Sequence, residues 1–323
     1  MNDFIEVAEA IKNSRSPVLC GHVMPDGDSL GSLLALGLGL KSMGKEVTMV
    51  SSDPIPELYN FLPGVENIHV GNVPTGNYDM LIVVDCSVPE RLGDTLLPLV
   101  DTVSTVVIID HHVNESPFGQ YNYINSRVAA TGELIMDFLD YLKVKLNQDI
   151  ATNLYTAIVT DSGSFRYENT TPETHQKASR LVECGVSVAR LSNLIFGEQP
   201  IESLRLLQAA LNTLEVCECG KIAWMSMTME KIQEIGATDQ HLEGLINYPR
   251  KVKGVELAIM FREMVGGKVK VSFRSKYQVD VNRLARVFGG GGHVRASGCT
   301  VEGELSQVQA MVLAEAKKLF RGC

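Results

Sequence analysis

The feature that most restricts this chain is the triplet Asp110-His111-His112, which follows the β-branched run Val103–Ile109. An apolar run of that length reads as a buried strand. Three polar side chains in a row at its end would sit at a buried edge, where desolvation is costly unless each finds a partner. The arrangement recurs along the chain. The run Val18–Gly21 leads into His22-Val23-Met24-Pro25-Asp26-Gly27-Asp28, and Met80–Val84 leads into Asp85. A helical stretch through Val159 ends in Asp161. In an open α/β sheet the carboxyl ends of strands line the ligand crevice, so four clusters distant in sequence are expected to converge. A single Asp after a strand is usually a turn or cap residue, and Asp28 ahead of Ser29-Leu30 reads as an N-cap. That explanation does not stretch to all the clusters together.

Between the clusters, strand-length runs at Val18–Gly21, Glu46–Val50, Met80–Val84 and Val103–Ile109 alternate with helical stretches at Ser29–Met43, Thr131–Leu142 and Asp149–Val159. This alternation predicts an α/β domain on a parallel sheet covered on both faces. Helical spacing continues from Pro172 to Leu214, with breaks near Gly185 and at Gly197–Pro200. Beyond it the texture changes. Strands are expected at Lys221–Met227, Gly254–Phe261 and Lys268–Phe273, with a hairpin turn at Val265-Gly266-Gly267-Lys268. Helices are expected at Met229–Ile235, Val281–Val287 and Leu305–Phe320. These patterns predict a smaller α+β C-terminal domain. With 323 residues, more than one core usually sustains, the expected division is 1–190, a linker at 191–205, and 206–323.

Composition narrows the function classes. The chain is 45% hydrophobic and 21% charged, which is ordinary for a globular protein. A net charge of −9 argues against sequence-independent capture of long nucleic acid. Short anionic substrates stay open, because bound divalent ions and a few arginines can make a local basic pocket. Seven cysteines without a CxxC pair read as free thiols of a reducing cytosol. The N-terminal stretch lacks a signal-peptide pattern, and the apolar run Leu30–Leu40 is well short of the roughly 20 residues that span a bilayer. A cytoplasmic protein without membrane association is expected. Oligomeric state is left open, a homodimer included.

Four carboxylates and two imidazoles, with no thiolate, suit a hard or borderline divalent ion, manganese first and magnesium second. Six ligands are too many for one ion with an open position. Two ions about 3.5–4 Å apart, bridged by one carboxylate, are expected. A second constellation lies at Phe288-Gly289-Gly290-Gly291-Gly292-His293-Val294-Arg295. Consecutive glycines expose N–H groups to a phosphate, and Gly291, Gly292, His293 and Arg295 are candidate contacts. A glycine run by itself often marks only a flexible loop. Arg274-Ser275 ends one strand and offers a bidentate guanidinium. Arg262 ends the preceding strand, where a surface ion pair explains it equally well.

Taken in order, His22-x-x-Pro-Asp26-Gly-Asp28, Asp85, Asp110-His111-His112 and Thr160-Asp161-Ser162-Gly163-Ser164-Phe165-Arg166 resemble the motifs of the DHH phosphoesterase family. The GGGGH segment with Arg274-Ser275 is similar to that family's C-terminal DHHA1 domain, and the resemblance covers nearly the whole chain. It implies one metal on His22, Asp26 and Asp85, and a second on Asp28, Asp85, His111 and Asp161, with Asp85 bridging. Asp110 would orient an imidazole, and His112 would face the substrate phosphate. Arg274, Ser275, His293 and Arg295 would grip the rest of the nucleotide.

The compact architecture is similar to the nano-RNase branch of the family. That implies a hydrolase cutting very short oligoribonucleotides to mononucleotides and removing the 3′-phosphate from 3′-phosphoadenosine 5′-phosphate. Its partners would be short RNA and nucleotides. Two domains closing a cleft, with an acidic exterior, would favour short substrates. A phosphodiesterase for pApA or pGpG shares every motif. A pyrophosphatase is disfavoured by GGGGH, and a nucleotide-binding regulator without turnover by the intact ligand set.

Overall fold

The computed structural model describes residues 2–320 apart from Glu115 and Glu243. The last three residues of the expected C-terminal domain lie outside the described residues. The chain forms two compact units, Met1–Glu198 and Gln199–Cys323.

In the first unit six strands form: β1 (Pro17–Cys20), β2 (Thr48–Ser51), β3 (Ile68–Val70), β4 (Met80–Val84), β5 (Val106–Asp110) and β6 (Tyr121–Ile124). They pair parallel throughout, in the order β3-β2-β1-β4-β5-β6. Strands β1, β4 and β5 are buried along their whole length, which is why each reads as an unbroken apolar run. From β1 the chain builds outward through β2 and β3, then returns to add β4, β5 and β6 on the other side. The direction therefore switches between β1 and β4, and a crevice follows at the carboxyl ends of those two strands. The short edge strands β3 and β6 were not expected from the sequence. They are only partly buried and carry polar residues such as His69 and Asn122, so neither shows a long apolar run.

Five longer helices accompany this sheet: α1 (Phe4–Asn13), α2 (Gly27–Ser42), α3 (Thr131–Tyr141), α4 (Gln148–Asp161) and α5 (Pro172–Glu183). Helix α2 carries Leu30, Leu33, Leu34, Leu36 and Leu40 into the core. Each buried leucine contributes about 1.5–3 kcal/mol. Gly31 lets α2 press onto α4, since a Cβ there would stand 2.4 Å from the Asn153 carbonyl oxygen. The N-cap of α2 is Asp26, not Asp28. Asp26 has the extended backbone a cap requires, and its carboxylate accepts from the N–H groups of Asp28 and Ser29. Asp28 is thereby released from capping and turned inward.

The second unit contains α6 (Ile201–Leu211), β7 (Glu215–Val216), β8 (Ile222–Met227), α7 (Met229–Ile235), β9 (Leu257–Met264) and β10 (Lys268–Ser275). It continues with α8 (Val281–Val287), β11 (Gly291–Gly292), β12 (Ala296–Glu302) and α9 (Leu305–Lys317). Its sheet has the order β11-β12-β10-β9-β8-β7 and is antiparallel except where β8 meets β9. Along β10, Val269, Val271 and Phe273 face the core, while Lys268, Lys270 and Arg274 alternate onto the other face. Among the described residues no helix is long and apolar enough to cross a membrane. Cys20, Cys86, Cys184 and Cys299 are free thiols. Cys219 departs from the all-reduced expectation, being disulfide-bonded.

Candidate metal centre

The carboxyl ends of β1, β4 and β5 meet at one edge of the parallel sheet. His22 follows β1, Asp85 follows β4, and Asp110 closes β5 ahead of His111 and His112. Asp26 and Asp28 come from the start of α2, and Asp161 is the last residue of α4. His22 Nε2 lies 3.4 Å from Asp85 Oδ2 and 3.7 Å from Asp26 Oδ2. His111 Nε2 lies 3.3 Å from Asp161 Oδ2, 3.7 Å from Asp28 Oδ2 and 3.7 Å from Asp85 Oδ1. Among the described residues three overlapping donor groups result, His22–Asp26–Asp85, Asp28–His111–Asp161 and Asp85–His111–His112, each with its ligand atoms within 4.8 Å of one another; the first two share no residue, and His112 of the third is held by Asp110. Asp85 faces both, with Oδ2 toward the first and Oδ1 toward the second. Its backbone is left-handed (φ 58°), a region aspartate tolerates better than most residues, and its N–H is held by the Ile109 carbonyl.

These donors fit a divalent cation. They are carboxylate oxygens and imidazole nitrogens only. His111 Nε2 is buried with no hydrogen-bond partner, a costly state unless it meets an electrophile. His22 Nδ1 lies 2.7 Å from the Val23 carbonyl oxygen. A carbonyl can only accept, so Nδ1 carries a proton and Nε2 is the nitrogen directed at Asp26 and Asp85. The carboxylates also repel one another. Burial, followed by the charges of Asp85 and Asp161, pushes Asp28 well above the usual carboxylate range. Burial likewise raises Asp161 to about 6, against the opposing pull of His111. A cation among them would remove that repulsion.

Asp110 belongs to none of these donor groups. It is buried, and it accepts from the His112 backbone N–H (3.0 Å) and from His112 Nδ1 (2.8 Å). This pairing outweighs burial and raises His112 to about 9. The His112 side chain is 46% exposed, so an imidazolium is presented at the rim of the site.

Several neighbours were invisible in the sequence. The Thr131 hydroxyl donates to Asp85 Oδ1 (2.9 Å), and the N–H groups of Thr131 and Gly132 donate to Asp28 Oδ2 (2.6 Å) and Oδ1 (2.9 Å). The Ser32 hydroxyl donates to Asp28 Oδ1 (3.0 Å). Thr131 lies 46 positions from Asp85 and 103 from Asp28, so no local spacing announces it.

In the second unit, Arg274 aligns with Ala258 of β9 and Ala296 of β12, and one of its nitrogens donates to the Phe273 carbonyl. The exposed Arg295 donates to the Val279 carbonyl (2.9 Å), and the Ser275 N–H donates to the Arg295 carbonyl (3.1 Å). Ser275 itself is buried, with its hydroxyl donating to the same Val279 carbonyl (2.6 Å), so it braces this loop from within. Arg262 stands opposite Lys270, four rungs along β9 from Ala258, or about 13 Å at strand rise. The structure does not bring it beside Arg274. Nor does Arg262 end its strand, because β9 runs on to Met264.

The glycine run is first a packed turn. The N–H groups of Gly289, Gly290 and His293 are committed to the carbonyls of Arg286, Ala285 and Ala296. A Cβ on Gly290 would stand 2.2 Å from the Gly298 carbonyl oxygen, so only glycine fits against β12 there. Gly291, Gly292 and His293 are exposed beyond it.

A parallel sheet with acids and imidazoles gathered over its switch point, followed by a mixed-sheet unit, is the plan of the DHH phosphoesterases. Residues 17–158 match the DHH family, N-terminal domain, and residues 223–322 match the DHHA1 domain. The chain belongs to this DHH/DHHA1 phosphoesterase family. Among relatives, it is 35% identical over 313 residues to the bifunctional oligoribonuclease and PAP phosphatase NrnA of Thermus thermophilus, spanning 95% of this chain and 91% of that protein. The protein of the same name from Bacillus subtilis is 29% identical over 290 residues, 88% of each chain. Among solved structures, an exopolyphosphatase-related protein from Bacteroides fragilis superposes with a TM-score of 0.90 at 24% identity, over 98% of this chain and 96% of that one. At that identity the likeness speaks for the fold alone.

Proposed function

We propose that this chain is a metal-dependent phosphoesterase that hydrolyses very short oligoribonucleotides to mononucleotides. In the same reading it removes the 3′-phosphate from 3′-phosphoadenosine 5′-phosphate. The observation that carries it is the pair of donor sets meeting at Asp85, whose two oxygens face different imidazoles. The relatives named as bifunctional oligoribonuclease and PAP phosphatase, similar over most of the chain, support the substrate class.

His22, Asp26 and Asp85 would hold one ion, and Asp28, Asp85, His111 and Asp161 the other, with manganese preferred over magnesium because of the two imidazoles. When bound, such a pair lowers the pKa of a shared water and neutralises charge on the phosphoryl group. The chain's own groups do the rest. Asp85 keeps the two sets in register. Asp110 holds His112 by Nδ1, which leaves Nε2–H free to donate to a substrate phosphate oxygen. The Val23 carbonyl holds His22 by Nδ1–H, so Nε2 is the atom that would face an ion.

Residues 1–190 act as the catalytic domain, 191–205 as linker and 206–323 as the substrate-binding domain. In the latter, Arg274, His293 and Arg295, with the exposed Gly291 and Gly292, hold another phosphate or the terminal nucleoside, and Ser275 supports them from beneath. Short substrates suit an acidic chain that offers no track for a long backbone. We place the protein in the cytoplasm on its free Cys20, Cys86, Cys184 and Cys299, against which the disulfide-bonded Cys219 stands.

The test is hydrolysis across an RNA length series from dimer to 24-mer in Mn2+, with 3′-phosphoadenosine 5′-phosphate, pApA and pGpG in parallel. Rapid cleavage of dimers and trimers together with release of the 3′-phosphate is expected. A 24-mer degraded as fast as a dimer would sink the short-substrate reading. Turnover of pApA or pGpG alone would replace it with a dinucleotide phosphodiesterase.

A further inference from the structure

Each carboxylate oxygen accepts along about two lone-pair directions. Asp28 Oδ1 already accepts from the Ser32 hydroxyl (3.0 Å) and the Gly132 N–H (2.9 Å), which uses both. Asp28 Oδ2 accepts from the Thr131 N–H (2.6 Å) and keeps one direction free, on the oxygen that lies 3.7 Å from His111 Nε2. Asp28 can therefore offer a cation a single lone pair of a single oxygen. Asp85 Oδ1 accepts from the Thr131 hydroxyl (2.9 Å) and keeps one direction for the His111 side, while Oδ2 faces His22. One residue thus grips both carboxylates, Asp28 through its N–H and Asp85 through its hydroxyl.

Thr131 is completely buried at the start of α3, so solvent does not compete for that hydroxyl. Its segment is fixed from two sides. Glu133, also completely buried, accepts through Oε1 from the Ala129 N–H (2.9 Å) and from the Thr174 hydroxyl of α5 (2.8 Å). Asn169 Nδ2 donates both to the Ala129 carbonyl (3.0 Å) and to the Asp161 carbonyl (3.2 Å). The loop that grips Asp28 and Asp85 is therefore tied to the backbone of Asp161 as well.

We infer that Thr131 is a positioning residue that sets the bridging orientation of Asp85; the inference rests on the metal-centre reading above. Without its hydroxyl, Asp85 is free to rotate about its terminal torsion, toward His112 Nδ1 at 3.6 Å or toward two-oxygen chelation of a single ion. The hydroxyl opposes both by occupying one lone pair of Oδ1. Partners of this kind tune metal ligands without touching the metal.

The test compares the full-length wild type with Thr131→Val, which keeps the shape and removes the hydroxyl, and Thr131→Ser, which keeps the hydroxyl. Metal-free proteins are titrated with Mn2+ by calorimetry, with near-UV circular dichroism to establish the fold, and kcat and KM are then measured. Thr131→Val should lose about 10- to 100-fold in Mn2+ affinity with a fall in kcat rather than a rise in KM, whereas Thr131→Ser should stay within about threefold of wild type. Unchanged affinity in Thr131→Val would overturn the role. So would an equal loss in Thr131→Ser, which would assign the effect to the methyl group. Should the valine chain fail to fold, Thr131→Ala replaces it under the same criteria. A wild type that binds no Mn2+ would instead refute the metal centre itself.

Discussion

In the first unit Asp28, Asp85, Asp110 and Glu133 are buried together with His22, whereas in the second the buried polar side chains among the described residues are Ser226, Ser275 and Ser297. A buried carboxylate destabilises a fold unless a hydrogen-bond donor or a cation compensates it. The first unit accepts that burden chiefly at one sheet edge, where burial and neighbouring carboxylates raise Asp28 and Asp161. The second keeps arginines such as Arg295 at its surface, where a guanidinium stays solvated and ready for an anion. On the reading proposed above, reaction chemistry would rest on buried carboxylates, and substrate grip on the half-buried Arg274 and the exposed Arg295.

The strongest way to break this division is Asp85→Ala. It should lower kcat by at least about 10³-fold on every substrate alike, and Mn2+ binding measured by calorimetry should fall with it. Retained turnover in excess manganese would remove the bridging carboxylate from the account. Arg274→Ala and Arg295→Ala should act the other way, raising KM by about 10- to 100-fold with little change in kcat. A loss confined to kcat would mean that the second unit takes part in the chemical step.

Gly290→Ala forces a methyl into the Gly298 carbonyl and should destabilise the chain by about 1–3 kcal/mol in urea unfolding, while Mn2+ affinity stays at its wild-type value. A change in metal affinity would mean that the metal centre depends on the second unit. The smallest effect concerns two carboxylates outside the metal centre, Asp79 in the first unit and Glu256, close to Arg295, in the second. Burial works to raise Asp79, but the Arg15 N–H, the Ser14 hydroxyl and the Ser16 N–H outweigh it and hold the carboxyl below its usual range. In the second unit the N–H groups of Gln278, Tyr277 and Val279 do the same for Glu256 against burial. A carboxyl lowered in the folded state stabilises the fold above its ordinary value, and that contribution is lost as pH falls through the folded value. Asp79→Ala and Glu256→Ala should each lower stability by about 1 kcal/mol at neutral pH, with the gap to wild type closing in acid. A gap that does not depend on pH would mean the charge is not its source.

What the sequence disclosed follows from where its signals are local. The runs Met80–Val84 and Lys268–Phe273 carry their periodicity within themselves, and the structure keeps β4 over the first and extends β10 two residues past the second. His22, Asp85 and Asp110-His111-His112 were legible because each follows an apolar strand run of this kind, and Asp161 because it ends a helical one. Thr131 was not, since its meaning depends on Asp28 and Asp85 folding back onto it. That Asp26 rather than Asp28 caps α2 was also hidden, because either residue two steps apart satisfies the composition of a cap. Arg262 was misplaced for a related reason. Strand β9 continues past it with half-buried Glu263 and Met264, whose mixed polarity reads as a strand already ended. Glycine composition was visible, but the carbonyl standing against Gly290 was not.

Helix α2 offers a last consequence. Gly31 sits three residues beyond Asp28 and holds the helix against the Asn153 carbonyl at a distance no other residue permits. Any bulk added there pushes α2 outward as a rigid rod, and that displacement reaches the Asp28 oxygen aimed at His111. A mutational scan scored on phosphoester hydrolysis would therefore return this hidden glycine among the damaging positions, beside the acids themselves. Tolerance to substitution along the chain will follow the packing of one helix as closely as it follows the chemistry of the edge it serves.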